Sequence, residues 1–273
     1  MYEEFWKLEE KPFEDSWDDC YFYPSEVHQS TTLKLRYVLE NQRPAALLTG
    51  AAGLGKSLLV QRLLSQLDPA FSPRVQLVYP QMPYEQLLAY LANELEGTTS
   101  GPSTPTVEQS VRSIESTLTS NVEQGRHAVI VIDEAHLVRD PNALESLRLL
   151  LNFRVHGGHA LTLLLVGQPS LLPVLDRFSS LEEQLAVKCL MRPFSEEETV
   201  SYVTHRMTAA GTDCTVFDNG ALELVHQISG GIPRRINRIC DLALLIAFAD
   251  EQPLIGAELI EAVSAELVTV QPE

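Results

Sequence analysis

The segment "AALLTGAAGLGKSLLVQRLL" constrains the fold more than any other part of the sequence. The apolar run "AALLTG" predicts a buried strand, and helically spaced apolar residues begin inside the glycine-rich turn that follows it. Gly50 to Ser57 fit the pattern G-x-x-x-x-G-K-[ST] between a strand and a helix. Such glycines let successive backbone N–H groups point at phosphate oxygens, and the helix N-terminus adds its positive dipole end. The segment therefore predicts a phosphate-binding loop.

The same pattern assigns expected roles to individual side chains. Lys56 is expected to reach the β- and γ-phosphates of a nucleotide, and the Ser57 hydroxyl is expected to bind Mg²⁺. A glycine-rich turn that includes Lys-Ser by chance is the structural alternative, and the flanking strand and helix argue against it. The predicted nucleotide-binding segment is Gly50, Ala51, Ala52, Gly53, Leu54, Gly55, Lys56, Ser57 and Leu58.

The run "AVIVIDEAHLV", residues 128 to 138, places an acidic pair at the end of a second buried strand. A carboxylate at that point is where a protein with a phosphate-binding loop holds Mg²⁺, which predicts this role for Asp133. Glu134 is then the natural group to orient the attacking water and take its proton. An acidic turn that only caps a helix is the alternative. His136 is given no role, because a histidine after a strand is more often a structural hydrogen-bond partner.

Two further polar residues are candidates for the γ-phosphate. Gln168 follows "ALTLLLVG" and should reach the carboxyl edge of the sheet, where ligands bind in open α/β folds. Alternatively, it hydrogen-bonds its own turn before Pro169. Arg234 in "GGIPRRINR" lies at a predicted helix start, in a subdomain expected to fold over the nucleotide. The open alternative is that Arg234, Arg235 and Arg238 form a solvated basic face or a small nucleic-acid patch.

Apolar strands alternate with helices as far as residue 193. The strand candidates are "AALLTG", "VQLVY", "AVIVID", "ALTLLLVG" and a short "KCLMR" at 188 to 192. Strands that are apolar throughout predict a parallel sheet covered on both faces. After Pro193 only helices are predicted, the first with a capping box from Ser195 to Glu198. We expect an α/β fold of the P-loop NTPase type, a three-layer αβα sandwich, followed by an all-helical lid.

The predicted division has three parts. Residues 1–44 form an N-terminal linker and a first helix packing on the nucleotide site, residues 45–193 the P-loop core, and residues 194–273 the helical lid. The segment 97–106, "GTTSGPSTPT", is the most loop-like part of the chain.

The overall charge narrows the possible partners. The chain has 273 residues and a net charge of -17, so it is a poor non-specific binder of nucleic acid. Its N-terminus lacks the basic and apolar regions of a signal peptide, and its apolar runs are too short to span a membrane. We expect a cytoplasmic protein without a membrane span.

Widely spaced thiols without a CxxC pair suggest buried cysteines in a reducing compartment: Cys20, Cys189, Cys214 and Cys240.

The phosphate-binding loop, the strand-end Asp-Glu, the strand-end glutamine and the G-x-P-R helix together resemble the AAA+ ATPases. Further segments in the same order are similar to the ExeA/GspA-type secretion ATPases, among them "MYEEFWKLEEKPFED", "YFYPSEVHQSTTLKLRYVLE", "LLLVGQPSLL" and "RPFSEEETVSYVTHRMTAAG". The resemblance covers nearly the whole chain. It implies an ATPase that uses ATP and Mg²⁺ and works as a homo-oligomer with an envelope or secretion-system partner. It also implies that Pro12 and Phe13, in "KPF", line the adenine.

Two departures from that family bear on activity. Its members usually continue into a transmembrane helix and a periplasmic peptidoglycan-binding region, so the sequence is expected to represent the ATPase module alone. The family also shows Gln-Arg-Ile where this chain has Gln184, Leu185 and Ala186, a position from which an arginine finger would complete a neighbouring site. Lys188 and Arg177 are the candidate replacements, although a lysine lacks the planar fork that suits phosphate.

Three functions follow from these features. The first is an ATPase that assembles or regulates a cell-envelope secretion or export system. The second is a DNA-associated regulator of the TniB/TnsC transposition type, which the charge opposes. The third is a nucleotide-gated switch with little hydrolysis, which the missing arginine favours and Glu134 opposes. A DEAH helicase is excluded, because it needs a second RecA-like domain and only helices are predicted after residue 193.

Overall fold

The computed structural model describes residues 2–14, 19–98, 105–212 and 214–269. The chain forms two compact units. The core unit comprises His28–Ala52 and Lys56–Met191, and the helical unit comprises Met1–Val27, Gly53–Gly55 and Arg192–Glu273. The helical unit therefore takes in the first 27 residues, which the sequence grouped with the first long helix, and it resumes at Arg192, close to the predicted boundary. Of the loop predicted over 97–106, residues 99–104 lie outside the described part of the chain.

The elements follow one another as the sequence patterns predict, with a few short additions. The strands are β1 (Ala45–Thr49), β2 (Arg74–Leu77), β3 (Ala128–Ile132), β4 (Arg154–Val155), β5 (Gly158–His159), β6 (Leu161–Gly167) and β7 (Leu185–Leu190). The helices are α1 (Glu3–Trp6), α2 (Glu26–Glu40), α3 (Lys56–Ser65), α4 (Tyr84–Glu96), α5 (Val107–Glu123), α6 (Pro141–Leu150), α7 (Leu172–Asp176), α8 (Ser179–Glu182), α9 (Glu196–Ala209), α10 (Asn219–Ser229), α11 (Pro233–Ala249) and α12 (Ala257–Thr269).

The core unit is built on a parallel sheet with the strand order β2–β3–β6–β1–β7. Every residue of β1, β3 and β6 is buried, as expected for strands covered on both faces. Alternate residues such as Leu47, Ile130 and Leu163 join one hydrophobic cluster with α4, α5 and α6. The intervening residues are buried as well, so the opposite face is also covered. The predicted α/β fold with a parallel sheet is confirmed.

The strand order decides which loops become neighbours. Strand β6 lies between β1, which leads into the phosphate-binding loop, and β3, which leads into the acidic pair. All three strands run in the same direction, so their carboxyl ends meet at one edge of the sheet. Gly50, Asp133 and Gln168 each directly follow one of these strands and therefore lie at this edge.

The helical unit has its own hydrophobic core, to which the N-terminal segment contributes. Trp6 is buried there and its indole N–H donates to the carbonyl of Leu244 at 3.2 Å. The buried guanidinium of Arg206 on α9 donates to the backbone carbonyls of Pro12 and, at 2.7 Å, of Glu14. It also lies over the Tyr21 ring, 4.7 Å from the ring centre. These contacts make the first residues of the chain an integral part of the helical unit.

The sharp turn before α11 depends on a glycine. Gly231 has φ +70° and its carbonyl accepts from the N–H of Phe194 at 2.9 Å. A Cβ atom placed on Gly231 would lie 2.1 Å from the carbonyl oxygen of Phe194, which no side chain tolerates. At the start of α9 the predicted capping box is confirmed, because Ser195 and Glu198 bond each other's backbone N–H groups.

The cysteine prediction holds only in part. No disulfide joins any of the four cysteines, all of which lie in the described ranges, and Cys189 and Cys240 are buried. Burial raises the pKa of both buried thiols. The expectation of buried thiols is wrong for Cys20 and Cys214, which are exposed. In the described parts of the chain, no helix combines the length and the apolar character needed to cross a bilayer.

Candidate functional site

The phosphate-binding loop has the backbone that its glycines predict. Gly53 and Gly55 adopt φ values of +81° and +82°, in the left-handed region that glycine enters without steric cost. The N–H of Gly50 donates to the carbonyl of Gly167 at 3.2 Å, which ties the start of the loop to the end of β6. Helix α3 begins at Lys56, so the last glycine leads directly into a helix N-terminus. This arrangement fits the binding of an anion by backbone N–H groups.

Lys56 is buried, with 6% of its surface exposed, and its side chain folds back into the loop. The ammonium donates to the carbonyl oxygens of Gly50 and Ala51, both at 2.9 Å. These two contacts compensate part of the cost of removing a charge from water. They also keep the positive charge inside the loop, where a phosphate would be held.

A direct hydrogen bond joins the two main motifs. The Ser57 hydroxyl donates to Oδ2 of Asp133 at 2.7 Å, although the residues are 76 positions apart. The other carboxylate oxygen of Asp133 accepts from the N–H of Glu134 at 2.8 Å. Asp133 is buried, with 4% of its surface exposed. A hydroxyl and a carboxylate in contact offer the hard oxygen ligands that Mg²⁺ prefers.

Glu134 has an unusual backbone conformation. Its φ of 49° and ψ of 35° lie in the left-handed region, which is uncommon for a residue with a side chain. Its side chain is 41% exposed, so water reaches the carboxylate. Non-glycine residues in this region cluster at functional sites, where the surroundings hold a conformation that is locally unfavourable. The role predicted for Glu134 as the residue that activates water stays a prediction.

Gln168 lies at the same edge of the sheet, at the end of β6. Its side chain is half-buried and forms no capping hydrogen bond with the short 3₁₀ turn Pro169–Leu171. The structure therefore gives no support to the alternative that Gln168 only caps its own turn. The predicted role in sensing a γ-phosphate stays a prediction.

His136, predicted from the sequence to be a structural hydrogen-bond partner without a functional role, contacts two of the predicted site residues. The residue lies in the 3₁₀ turn Ala135–Leu137, and 11% of its side chain is exposed. Its Nδ1 atom is 3.3 Å from Oε2 of Glu134 and 3.4 Å from the backbone nitrogen of Gln168. One imidazole thus touches two of the predicted functional residues. The contact with Glu134 could have been predicted from the sequence, because the two residues are two positions apart. The contact with Gln168, 32 positions away, depends on the order of the strands in the sheet.

The remaining predicted site residues belong to the helical unit. The N–H of Arg234 donates to the carbonyl of Gly53 at 3.3 Å, and its side chain is exposed. The role predicted for that guanidinium stays a prediction. Phe13 is buried with 4% exposure and packs edge-on against Phe217, and Pro12 is buried beside it. Their predicted contact with adenine stays a prediction, and the observed contacts give both a structural role.

The sequence of the core matches a known domain family. The model of the AAA domain matches residues 39–175, half of the chain. The chain belongs to the AAA family. General secretion pathway protein A of Aeromonas hydrophila is 34% identical over 252 residues, which cover 91% of this chain and 45% of that relative. The predicted ExeA/GspA-like AAA ATPase is thereby confirmed, and the chain spans less than half of the relative's length. Membership of the AAA family implies nucleotide binding.

Solved structures support the same fold. Cdc6p of Pyrobaculum aerophilum superposes with a TM-score of 0.72 at 17% identity, over 93% of this AAA chain and 74% of the other. The ORC2 protein of Aeropyrum pernix gives 0.68 at 16% identity, over 94% and 72%. The RuvB branch migration motor of Thermotoga maritima gives 0.61 at 15% identity, over 96% and 74%. At these identities the likeness establishes the fold alone.

Proposed function

We propose that the chain hydrolyses ATP with Mg²⁺ and, as a homo-oligomer, assembles or regulates a cell-envelope secretion or export system. The observation that carries the catalytic part is the 2.7 Å hydrogen bond between Ser57 and Asp133. It brings the phosphate-binding loop and the acidic strand end together at the carboxyl edge of the sheet. The secretion part is supported by the 34% identity to general secretion pathway protein A.

The side chains at this edge fit a nucleotide and its metal. Lys56 supplies a positive charge beside the loop carbonyls, which suits the β- and γ-phosphates. Ser57 and Asp133 are the residues that would hold Mg²⁺. When bound, the metal neutralises charge that develops on the phosphate oxygens.

Glu134 is the proposed general base. Its carboxylate is reached by water and directly follows the metal-binding aspartate in the chain. Glu134 would orient a water molecule and accept its proton on a carboxylate oxygen as the water attacks the γ-phosphate. Gln168, on the neighbouring strand, would hydrogen-bond the γ-phosphate and so distinguish the triphosphate from the diphosphate.

The first test measures ATP hydrolysis and ATP binding for the purified chain over a range of protein concentrations. Lys56→Ala should weaken binding, whereas Glu134→Gln should bind ATP normally and lose at least about 100-fold in rate, since general base catalysis contributes about 10²–10⁴-fold. Glu115→Gln, an exposed helical glutamate in the core unit, is the matched control and should match the wild type. Equal rates for Glu134→Gln and the wild type would rule out the proposed base.

Concentration dependence distinguishes an assembling ATPase from a nucleotide-gated switch. If the working form is a homo-oligomer, the rate per chain should rise as the protein is concentrated. Binding of ATP with no turnover at any concentration would favour the switch.

In cells, replacing the gene with one encoding Glu134→Gln should reduce release of exported proteins, and unchanged release would contradict the secretion role.

A DNA-associated function is the second candidate, and one surface feature favours it. Arg234, Arg235 and Arg238 are all exposed near the start of α11, and none has an ion pair among the described residues. The net charge of -17 opposes this function, because non-specific DNA binding depends on positive surface. Measuring ATP hydrolysis with and without duplex DNA distinguishes the two candidate functions. If DNA stimulates hydrolysis, and the stimulation decreases with added salt and is lost in Arg238→Gln, the DNA-associated function becomes the first candidate.

A further inference from the structure

The imidazole of His136 lies against the end of β6, where a glycine leaves room for it. A Cβ atom on Gly167 would be 3.2 Å from the His136 backbone nitrogen and 3.4 Å from Nδ1. A side chain at that position would be tight against the His136 backbone, so its neighbours would have to shift by a few tenths of an ångström. The close approach places one ring nitrogen within reach of both the Glu134 carboxylate and the Gln168 N–H.

That ring nitrogen cannot serve both neighbours at once. With a proton on Nδ1, the ring donates to Oε2 of Glu134, and it then has no lone pair for the N–H of Gln168. Without that proton, Nδ1 accepts from Gln168 and offers Glu134 no donor. The two neutral forms differ by moving one proton from Nδ1 to Nε2. The position therefore has two alternative hydrogen-bonding states.

We propose that His136 is a positioning residue for hydrolysis that alternates between these two partners. The inference rests on the proposed ATPase function and assigns a specific role within the same site. With Nδ1 protonated, His136 holds the Glu134 carboxylate by a hydrogen bond. With Nδ1 bare, it anchors the backbone at Gln168 and leaves Glu134 free to take a proton from water. His136 thus couples the proposed base to the strand that carries the proposed phosphate sensor.

Kinetics of three variants separate this role from simple packing. His136→Leu fills similar space without a polar atom and should lower kcat by about 10- to 100-fold, a range typical of misplaced catalytic groups. Its KM for ATP should stay within about twofold, because His136 contacts Gln168 through the backbone N–H and not through the side chain proposed to bind the γ-phosphate. His136→Asn places an amide near the position of Nδ1 and should recover most of the rate. His156→Asn, in the exposed turn between β4 and β5, is the control and should behave as wild type.

A measurement that needs no turnover completes the test. In protein with ¹⁵N-labelled histidine, the ring nitrogen shifts report which nitrogen carries the proton, and the His136→Asn spectrum identifies the signals of His136. Glu134→Gln replaces the charged acceptor with a neutral amide whose NH₂ group can donate to Nδ1, so the population with a bare Nδ1 should increase. Unchanged His136 shifts in Glu134→Gln would overturn the proposal, even if His136→Leu fails to fold.

The outcomes also distinguish failure of this inference from failure of the proposed function. If wild type hydrolyses ATP, Glu134→Gln does not, and His136→Leu matches wild type, the ATPase stands and the positioning role is wrong. If wild type does not hydrolyse ATP at any concentration, the proposed hydrolysis fails. The histidine spectra then still decide whether His136 is coupled to Glu134.

Discussion

At the scale of single residues, Glu134 combines a predicted catalytic role with an unfavourable backbone. A left-handed conformation at a non-glycine residue costs about 1–3 kcal/mol and persists only where its surroundings fix it. Here the N–H of Glu134 donates to the side chain of Asp133 at 2.8 Å. The same carboxylate accepts from Ser57, so the motif that would bind the metal also holds the neighbouring residue in its strained conformation.

This strain predicts a difference between two inactive variants. Asparagine enters the left-handed region more readily than glutamine, so Glu134→Asn should be more stable than Glu134→Gln by up to about 1 kcal/mol. Urea unfolding monitored by circular dichroism measures the difference. The same pair at Glu115, inside α5, should reverse the order, because asparagine is the poorer helix former. Equal stabilities at position 134 would show that its backbone carries no such cost.

His127, just before β3, is buried as a neutral imidazole. Its Nε2 atom lies 2.9 Å from the Thr162 hydroxyl, which itself donates to the carbonyl of Arg43 at 2.7 Å. Nε2 is therefore the protonated nitrogen, and it donates to Thr162. Burial, and secondarily the charge of His159, lowers the pKa of His127 to about 4. In the unfolded chain the ordinary pKa is about 6.5.

The pKa difference predicts a pH-dependent loss of stability. Between about pH 6.5 and 4 the unfolded chain binds a proton at His127 that the folded chain does not, so stability present above pH 6.5 is lost as the pH falls. The loss approaches about 3 kcal/mol. Urea unfolding from pH 7 to pH 4 should show a shallower decline for His127→Gln than for wild type, whereas His156→Asn should follow wild type. Parallel curves for His127→Gln would contradict the assignment.

Most of the candidate site could be predicted from local sequence, because its residues occur in two short motifs at strand ends. The motifs name Lys56, Ser57, Asp133 and Glu134, and the structure brings all four together. His136 could not be assigned in this way. Its second contact, the backbone of Gln168, depends on β6 lying next to β3, and no local pattern specifies strand order.

At the scale of elements, the turn before α11 predicts a sharp contrast between adjacent glycines. Gly231→Ala should destabilise the fold by more than about 3 kcal/mol for two reasons. The new Cβ would overlap the carbonyl of Phe194, and alanine would have to adopt the positive φ of this position. Gly230→Ala meets open space and should cost only the backbone preference, about 1–2 kcal/mol. Thermal unfolding followed by circular dichroism compares them, and equal losses would show that the overlap is relieved by a small shift.

The elements that sequence patterns placed least well are short or lie at a sheet edge. Strand β7 runs from Leu185 to Leu190, whereas the sequence predicted 188 to 192. The prediction missed its start because exposed residues (Ala186, Lys188 and Leu190) alternate with more buried ones along the strand. An edge strand of this kind lacks the continuous apolar run of β1 or β3. The β4–β5 hairpin has two residues in each strand, too few to show any periodicity.

At the scale of the whole molecule, two arginines lie near Gln184 to Ala186, the segment where the related family has Gln-Arg-Ile. Gln184 and Ala186 line a cavity of about 440 Å³ together with Arg43 and Arg154. Neither arginine has an ion pair among the described residues. Lys188, by contrast, is paired with Glu182. The unpaired arginines are therefore better placed than Lys188 to provide charge for a neighbouring chain.

A mixing experiment tests this prediction for an assembling ATPase. Arg154→Gln should bind ATP but lose the rise in rate with concentration, because the variant lacks the guanidinium that would reach the phosphate of a neighbouring chain. Lys56→Ala, whose own nucleotide site is impaired but which keeps Arg154, should restore that rise when mixed with Arg154→Gln. Lys188→Gln is the control and should behave as wild type. No recovery on mixing would leave Arg154 without a role between chains.

The helical unit is discontinuous in sequence, and this has a consequence for synthesis on the ribosome. Residues 2–14 contribute to a hydrophobic cluster most of whose other members, including Leu244 and Phe217, are translated only after the whole core unit. At roughly 5–20 residues per second, that delay is on the order of ten seconds or more. During this delay the packing partners of Trp6 and Phe13 in the folded protein have not yet been synthesised. A nascent chain of this protein thus exposes an aromatic segment that a ribosome-bound chaperone would be suited to shield.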